Sequence, residues 1–188
     1  ITNQLEADFH IGLTGPEQER CAEVIGPNHA RPPVTKTPTP GGNTLPKNDP
    51  ALPPYRVVSS AEWRNAEIPA TNGHGSSLGI ARCYQAAISG KLFSGESLQL
   101  ALKEETNGET DLCLNQVLRR SKGFILNCEP CYYGPSRTAF GHAGTGGSTA
   151  FADPENNVAF AYVTNQLHHS GTVRYRKLID AFFDCLKN

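Results

Sequence analysis

The spacing of hydrophobic residues changes near the middle of the chain. Over residues 76–105, apolar positions recur every three or four residues, which is the period of an amphipathic helix. Ser76 and Ser94 precede the two halves of this stretch, where a serine accepts a hydrogen bond from the first helical turn. Over residues 123–165, short β-prone runs alternate with turn residues. The pattern therefore predicts two helices followed by a sheet.

The C-terminal third indicates how the strands connect and what covers them. Residues 153–157 read Asp-Pro-Glu-Asn-Asn, a turn-rich link of hairpin length, so the sheet is predicted to be an antiparallel meander. Residues 172–187 carry an apolar stripe at helical spacing, formed by Tyr175, Leu178, Ile179, Phe182, Phe183 and Leu186. We expect this terminal helix to lie across one face of the sheet. The predicted fold class is α+β, an antiparallel sheet flanked by helices.

A proline-rich segment interrupts the first third of the chain. Nine prolines fall within residues 26–56. Proline fixes φ and lacks a backbone donor, so this stretch suits neither a helix nor a central strand. We predict that residues 1–25 are a segment of a helical region, that residues 26–56 are an extended loop or linker, and that residues 57–188 form the main body of the fold.

Composition narrows the class of protein and its partners. A chain of 188 residues with 38% hydrophobic and 19% charged residues fits one soluble domain with a sizeable core. The formal charge of -1 gives no reason to propose nucleic acid or an anionic membrane as a partner. No apolar run is long enough to cross a bilayer as a helix. We expect neither a cofactor nor a metal.

Six cysteines bear on the compartment and on one further site. Their scatter along a chain of this length favours reduced thiols and a cytoplasmic location. The alternative is a secreted protein from which a signal peptide has been removed. Cys128-Glu129-Pro130-Cys131 has the C-x-x-C spacing of a redox pair or of half a zinc site. Because neither a second C-x-x-C nor a thioredoxin-like strand-to-helix context accompanies it, we favour structural thiols or a loop clip.

Candidate chemistry is densest in residues 141–147, which read Gly-His-Ala-Gly-Thr-Gly-Gly and precede a strand-like run. Glycine permits positive φ and lacks the Cβ that keeps other groups away, so backbone N–H groups can approach a ligand closely. The segment is therefore either a tight structural crossing or one wall of a binding site.

The end of the chain combines residues 141–147, the Asp-Pro-Glu turn, a strand ending in Tyr-Val-Thr-Asn at residues 162–165, and the terminal helix. Together these features resemble the C-terminal end of serine β-lactamases and penicillin-binding proteins. The likeness is greatest to the branch of class C-like esterases, which residues 8–13 and 69–84 also resemble. It implies that residues 57–188 are the C-terminal part of a β-lactamase-like domain, with only that portion of the full fold present. The implied chemistry is acyl transfer through a Ser-x-x-Lys nucleophile and base, a Tyr-x-Asn and a pocket-lining Lys-Thr-Gly strand.

The resemblance assigns roles to five residues. His142, Ala143 and Gly144 take the Lys-Thr-Gly position, so they and Gly146 are expected to contact substrate. The backbone N–H of Thr145 is expected to donate to the oxyanion. Lysine is cationic at pH 7 whereas an ordinary histidine is mostly neutral, so neutral esters should fit better than carboxylate-bearing β-lactams. Without the resemblance, His142 is a strand-end histidine that hydrogen-bonds a backbone carbonyl.

The sequence also departs from the family pattern, because it contains neither Ser-x-x-Lys nor Tyr-x-Asn. Two hypotheses follow. In the first, the chain is the C-terminal portion of an esterase-type hydrolase acting on a small ester or acyl substrate, with the nucleophile in upstream sequence. In the second, it is a non-catalytic remnant or binding module of the same fold. Either predicts an inactive isolated chain whose exposed sheet edge pairs with a complementary N-terminal segment or a second copy.

Overall fold

A computed structural model describes residues 1–26, 55–106, 108–111, 116–144, 146–168 and 174–187. Most of the predicted proline-rich loop at 26–56 therefore lies outside the described residues. The helices of the described part are α1 Gly15–Glu19, α2 Tyr55–Val58, α3 Ala61–Asn65, α4 Ser77–Ile88, α5 Gly95–Leu102 and α6 Arg174–Leu186, with a short 3-10 helix at Asn3–Leu5.

The strands of the described part are β1 Phe9–Ile11, β2 Gly73–Gly75, β3 Thr110–Asp111, β4 Gln116–Val117, β5 Arg119–Arg120, β6 Ile125–Leu126, β7 Phe140–Ala143, β8 Thr149–Asp153 and β9 Val158–Tyr162. Strands β5 to β9 form one sheet in which each strand pairs antiparallel with its neighbour in the chain. The predicted meander and the α+β fold class are confirmed. The sheet begins at Arg119, four residues before the predicted start at residue 123.

Strand β8 is the centre of the core, and all five of its residues are buried. Side chains alternate across a strand, so β8 packs against helices on both faces. On one face Phe151 stacks on Phe183 of α6, with ring centroids 6.2 Å apart. On the other face Ala152 packs in a cluster with Ala87 of α4, and these small side chains let the helix approach closely. The prediction that the terminal helix covers one face of the sheet is confirmed.

The capping serines behave as the sequence predicts. The Ser76 hydroxyl accepts a hydrogen bond from the N–H of Gly79 at 3.1 Å, and the Ser94 hydroxyl accepts one from the N–H of Ser97 at 3.1 Å. Helix α5 nevertheless ends at Leu102 and does not reach residue 105. The N–H of Glu105 donates to the carbonyl of Arg120 at 2.8 Å, so the chain leaves the helix to meet β5.

Residues 1–25, expected to be a segment of a helical region, contain strand β1 as well as helix α1 and the 3-10 helix. Strand β1 pairs antiparallel with β2, and His10 lies opposite His74. Helix α4 packs closely against the residue that precedes β1, since a Cβ at Gly79 would lie 2.7 Å from the backbone nitrogen of Asp8. The pairing joins segments more than sixty residues apart in the sequence, and periodicity within either segment does not reveal it.

A buried carboxylate sets the turn between β8 and β9. Asp153 is fully buried, and its oxygens accept hydrogen bonds from the Ser136 hydroxyl at 2.6 Å and the Asn156 side-chain amide at 2.7 Å. The backbone N–H of Glu155 donates to the same carboxylate at 3.0 Å. Because these hydrogen bonds satisfy a buried polar side chain, they fix the conformation of the turn-rich run that begins at residue 153.

Candidate active site

A cavity of about 410 Å³ lies between α4 and the turn end of the β7–β8 hairpin. The end of β7 forms one wall through His142, Ala143 and Gly144, and α4 forms the opposite wall through Ile80, Cys83 and Tyr84. Further lining residues are Phe9, Pro69, Ala70, Thr71, Gly73, Ser148, Thr149, Ala150, Tyr162 and Val163. The lining is mostly apolar, with an imidazole, a thiol and several hydroxyl groups among it.

The loop over one side of the cavity is held by Asn72, which is 2% exposed. Its side-chain oxygen accepts a hydrogen bond from the N–H of Ile68 at 3.0 Å, and its amide donates to the carbonyl of Trp63 at 3.0 Å and to that of Ala66. An asparagine that satisfies three backbone groups fixes a loop that lacks regular structure. Residues 69–71 therefore form a defined wall.

The C-terminal end of β7 borders the cavity, and β7 lies very close to β8. Gly141 lies so close to β8 that a Cβ there would lie 2.7 Å from the Cβ of Phe151, and it would also overlap the carbonyl of Ala150. His142 pairs in register with Ala150, which lines the cavity on the same face of the sheet. The hairpin then turns through Gly144, whose N–H donates to the carbonyl of Ser148 at 2.7 Å.

His142 both hydrogen-bonds a backbone carbonyl and lines the cavity. Its Nδ1 lies 2.7 Å from the carbonyl oxygen of Ala143, and since a carbonyl only accepts, Nδ1 carries the proton. In the neutral ring, Nε2 is then left with a lone pair. The side chain is exposed and lines the cavity, so the backbone hydrogen bond orients the imidazole without removing it from the site.

The remaining expected site residues have different outcomes. Ala143 and Gly144 line the cavity with His142. Thr145, the expected oxyanion donor, lies outside the described residues. Gly146 does not line the cavity, in contrast to its expected contact with substrate. It is buried with a φ of +96°, its carbonyl accepts a hydrogen bond from the N–H of His168 at 2.9 Å, and a Cβ there would overlap the Leu167 side chain.

Gly146 therefore supports the turn, which predicts a stability effect. We expect Gly146→Ala to lower the free energy of unfolding by about 1–2 kcal/mol, because alanine resists positive φ and its methyl group would collide with Leu167. Urea unfolding followed by circular dichroism measures the loss. The matched control is Gly144→Ala, because its Cβ would meet nothing closer than 3.5 Å and its φ is not positive. Equal stabilities of the two variants would contradict this role for Gly146.

The resemblance of residues 69–84 pointed to this part of the chain, but neither Cys83 nor Tyr84 was expected individually as a site residue. Burial raises the pKa of Tyr84 to about 12, and burial also raises the pKa of the Cys83 thiol. Neither group is therefore an activated base or nucleophile at neutral pH. Helical spacing predicts that one side of α4 is buried. Whether those residues line a cavity depends on where α4 packs against the sheet.

A second cavity of about 570 Å³ lies beside the first and includes Asp8, His10 and Arg20. Arg20 donates to the Asp8 carboxylate at 2.5 Å, and His10 Nε2 lies 3.1 Å from its other oxygen. The hydrogen bond from Arg20, followed by that from His10, lowers the pKa of Asp8. Because these partially exposed groups satisfy one another, the cluster is an ordinary surface ion-pair arrangement.

Among the described residues, no group of three or more histidine, cysteine, aspartate or glutamate side chains is arranged to hold a metal ion. No described helix has both the length and the apolar character needed to cross a membrane.

Comparisons with known proteins give a consistent result. The family model described as Beta-lactamase matches residues 6–182. The curated protein Esterase/beta-lactamase LipL of Mycobacterium tuberculosis is 35% identical over 115 residues, which cover 59% of this chain and 26% of LipL. A family VIII carboxylesterase structure is 31% identical with a TM-score of 0.80, covering 95% of this chain and 47% of its own.

A penicillin-binding protein homologue from Caulobacter crescentus is also 31% identical, with a TM-score of 0.77, and the match covers 98% of this chain and 50% of that one. The chain thus spans about half the length of these two solved structures and about a quarter of LipL.

Proposed function

This chain belongs to the β-lactamase family, and we propose that it forms one side of an esterase-type serine hydrolase site. The observation that carries the proposal is the cavity of about 410 Å³ whose wall is His142, Ala143 and Gly144. These are the residues whose place in the sequence resembles that of the pocket-lining third motif of the family. The similarity to proteins named as an esterase/β-lactamase and a family VIII carboxylesterase supports the choice of ester chemistry.

The proposed reaction needs groups from two parts of the fold. A serine Oγ bonds to the ester carbonyl carbon, its proton passes to a neighbouring base, and the negative charge moves to the carbonyl oxygen. Collapse of this intermediate expels the alcohol, which takes the proton from the base, and water then releases the acyl group by the same steps. We infer that the serine and its base lie on a complementary N-terminal segment, because this sequence contains no Ser-x-x-Lys.

This chain would bind and orient the substrate. Ala143 and Gly144 have small or no side chains and leave space beside the strand for an acyl group. Val163 and Ile80 supply apolar walls that favour short, uncharged acyl chains. His142 can exchange a hydrogen bond with the substrate through Nε2, and the N–H of Thr145 is proposed as one donor to the oxyanion.

The discriminating prediction concerns His142→Lys in the protein complemented with a segment that carries Ser-x-x-Lys. We expect the ratio of β-lactam to ester hydrolysis rates to rise by about tenfold, since a cation would form a charge-assisted hydrogen bond with the β-lactam carboxylate. Steady-state kinetics on a short uncharged ester and a β-lactam measure the ratio.

Two matched variants control for side effects of the substitution. His142→Gln keeps a neutral hydrogen-bonding side chain, and Thr138→Lys adds the same charge at an exposed position outside the cavity. Both should leave the ratio near its starting value. If His142→Lys leaves it unchanged too, then His142 does not face the substrate. Absence of turnover in every complemented form would instead favour the non-catalytic binding module.

A further inference from the structure

Cys128 and Cys131 face each other across a two-residue turn. The N–H of Cys128 donates to the carbonyl of Cys131 at 3.3 Å, and the N–H of Cys131 donates to the carbonyl of Cys128 at 2.9 Å. Residues that exchange both hydrogen bonds in this antiparallel way have Cα atoms about 5.5 Å apart, which is within the range that a disulfide spans. A disulfide can therefore close over Glu129-Pro130 without rearranging the backbone.

The two thiols have different environments. Cys131 is 7% exposed and belongs to the core cluster that contains Tyr133 and Phe183. Cys128 is partly exposed and lines a surface hollow with Arg119 and Arg137. A reagent in solution therefore reaches Cys128 first, and Cys131 lies behind it.

Hydrogen bonding adds a chemical difference to this difference in access. The hydrogen bond from the Cys131 thiol lowers the pKa of Cys128 to about 6, and the backbone N–H of Arg119 acts in the same direction. The same contact, together with burial, raises the pKa of Cys131. These opposite shifts make Cys128 the more acidic of the two thiols, with Cys131 as the hydrogen-bond donor that stabilises its thiolate.

We propose that Cys128 and Cys131 form a reversible dithiol–disulfide pair, in which Cys128 attacks a small-molecule disulfide and Cys131 resolves the product. The Cys128 thiolate bonds to one sulfur of the reagent and expels the other as a thiolate. Cys131 then loses its proton and attacks the Cys128 sulfur, which expels the second thiol. The two cysteines lose two electrons in total, and the reagent gains them as two thiols.

Metal binding is less well supported than a disulfide at these two cysteines. Two thiolates supply half of the tetrahedral ligand set that zinc takes in structural sites. Among the described residues, no third histidine, cysteine or carboxylate completes such a set here. The disulfide needs only the two residues that the turn already brings together.

The tryptic peptide of residues 123–137 permits a direct test, because it contains both cysteines and no others. The folded chain is incubated with oxidised glutathione, and remaining thiols are alkylated before digestion and mass spectrometry. We expect this peptide to lose two hydrogen atoms, to carry no glutathione, and to recover its dithiol mass after dithiothreitol. The exposed Cys185, in the peptide of residues 178–187, should carry only a glutathione adduct and is the internal control.

Two variants separate the roles of the thiols. Cys131→Ala should trap glutathione on Cys128, whereas Cys128→Ala should reduce adduct formation in this peptide at least about tenfold. In the native chain the alkylation rate of Cys128 should have its midpoint near pH 6, and Cys131→Ala should move that midpoint to higher pH. The proposal is overturned if the native peptide keeps a glutathione adduct, or if both thiols react as fast as Cys185.

Discussion

The isolated chain should hydrolyse esters no faster than the uncatalysed reaction, and a complementary segment carrying Ser-x-x-Lys should raise the rate by about 10⁶-fold or more. One oxyanion donor contributes about 3 kcal/mol, whereas enzymes lower the barrier by about 8 kcal/mol or more. A pocket wall without a nucleophile therefore cannot produce measurable turnover. Spectrophotometric assays with a short uncharged ester, with and without a complementary segment that carries Ser-x-x-Lys, measure the difference.

The control for this experiment is the same segment with its Ser-x-x-Lys serine changed to alanine. It should still bind, which light scattering detects, but it should restore no activity. We propose that binding occurs at β9, because this strand pairs only with β8 in the described part of the chain and leaves one edge of the sheet open. Turnover by the isolated chain, with covalent labelling of one of its own residues by a serine-directed probe, would contradict the proposed division of the site.

Gly134→Ala should cause a large loss of stability. We expect the free energy of unfolding to fall by about 2–4 kcal/mol, from a φ that disfavours alanine and from overpacking of the core. Gly134 has a φ of +95°, and its Cβ would lie 2.5 Å from Cζ of Phe183, which is 5% exposed. Because Phe183 anchors α6, the helix must shift to admit the methyl group.

Gly123→Ala is the matched control, because a Cβ at Gly123 would meet nothing within 4 Å and its φ is not positive. Its unfolding midpoint in urea should stay close to that of the native chain. Near-ultraviolet circular dichroism gives a second measure, since Phe183 stacks with Phe151 and a displaced α6 alters that signal. If both variants unfold at the same urea concentration, then the packing of α6 against Gly134 is not a stabilising contact.

Features that depend only on neighbouring residues could be predicted from the sequence. Ser76 and Ser94 mark helix starts because the cap bonds to an N–H three residues away. The turn after Asp153 and the apolar stripe of α6 are likewise contained within a few residues. The glycine-rich motif at residues 141–147 indicated the family by its local sequence. It also predicted His142, Ala143 and Gly144 as site residues, and all three line one cavity.

Features that depend on residues far apart in the chain became apparent only in the folded structure. Helix α5 ends early because Glu105 bonds to Arg120, and β1 exists because Gly73–Gly75 pairs with it. Gly146 belongs to the local motif, yet it does not line the cavity, and a Cβ on it would overlap the Leu167 side chain. These hydrogen bonds and contacts depend on the whole fold, because the spacing of residues within one segment does not show which distant segment will pack against it.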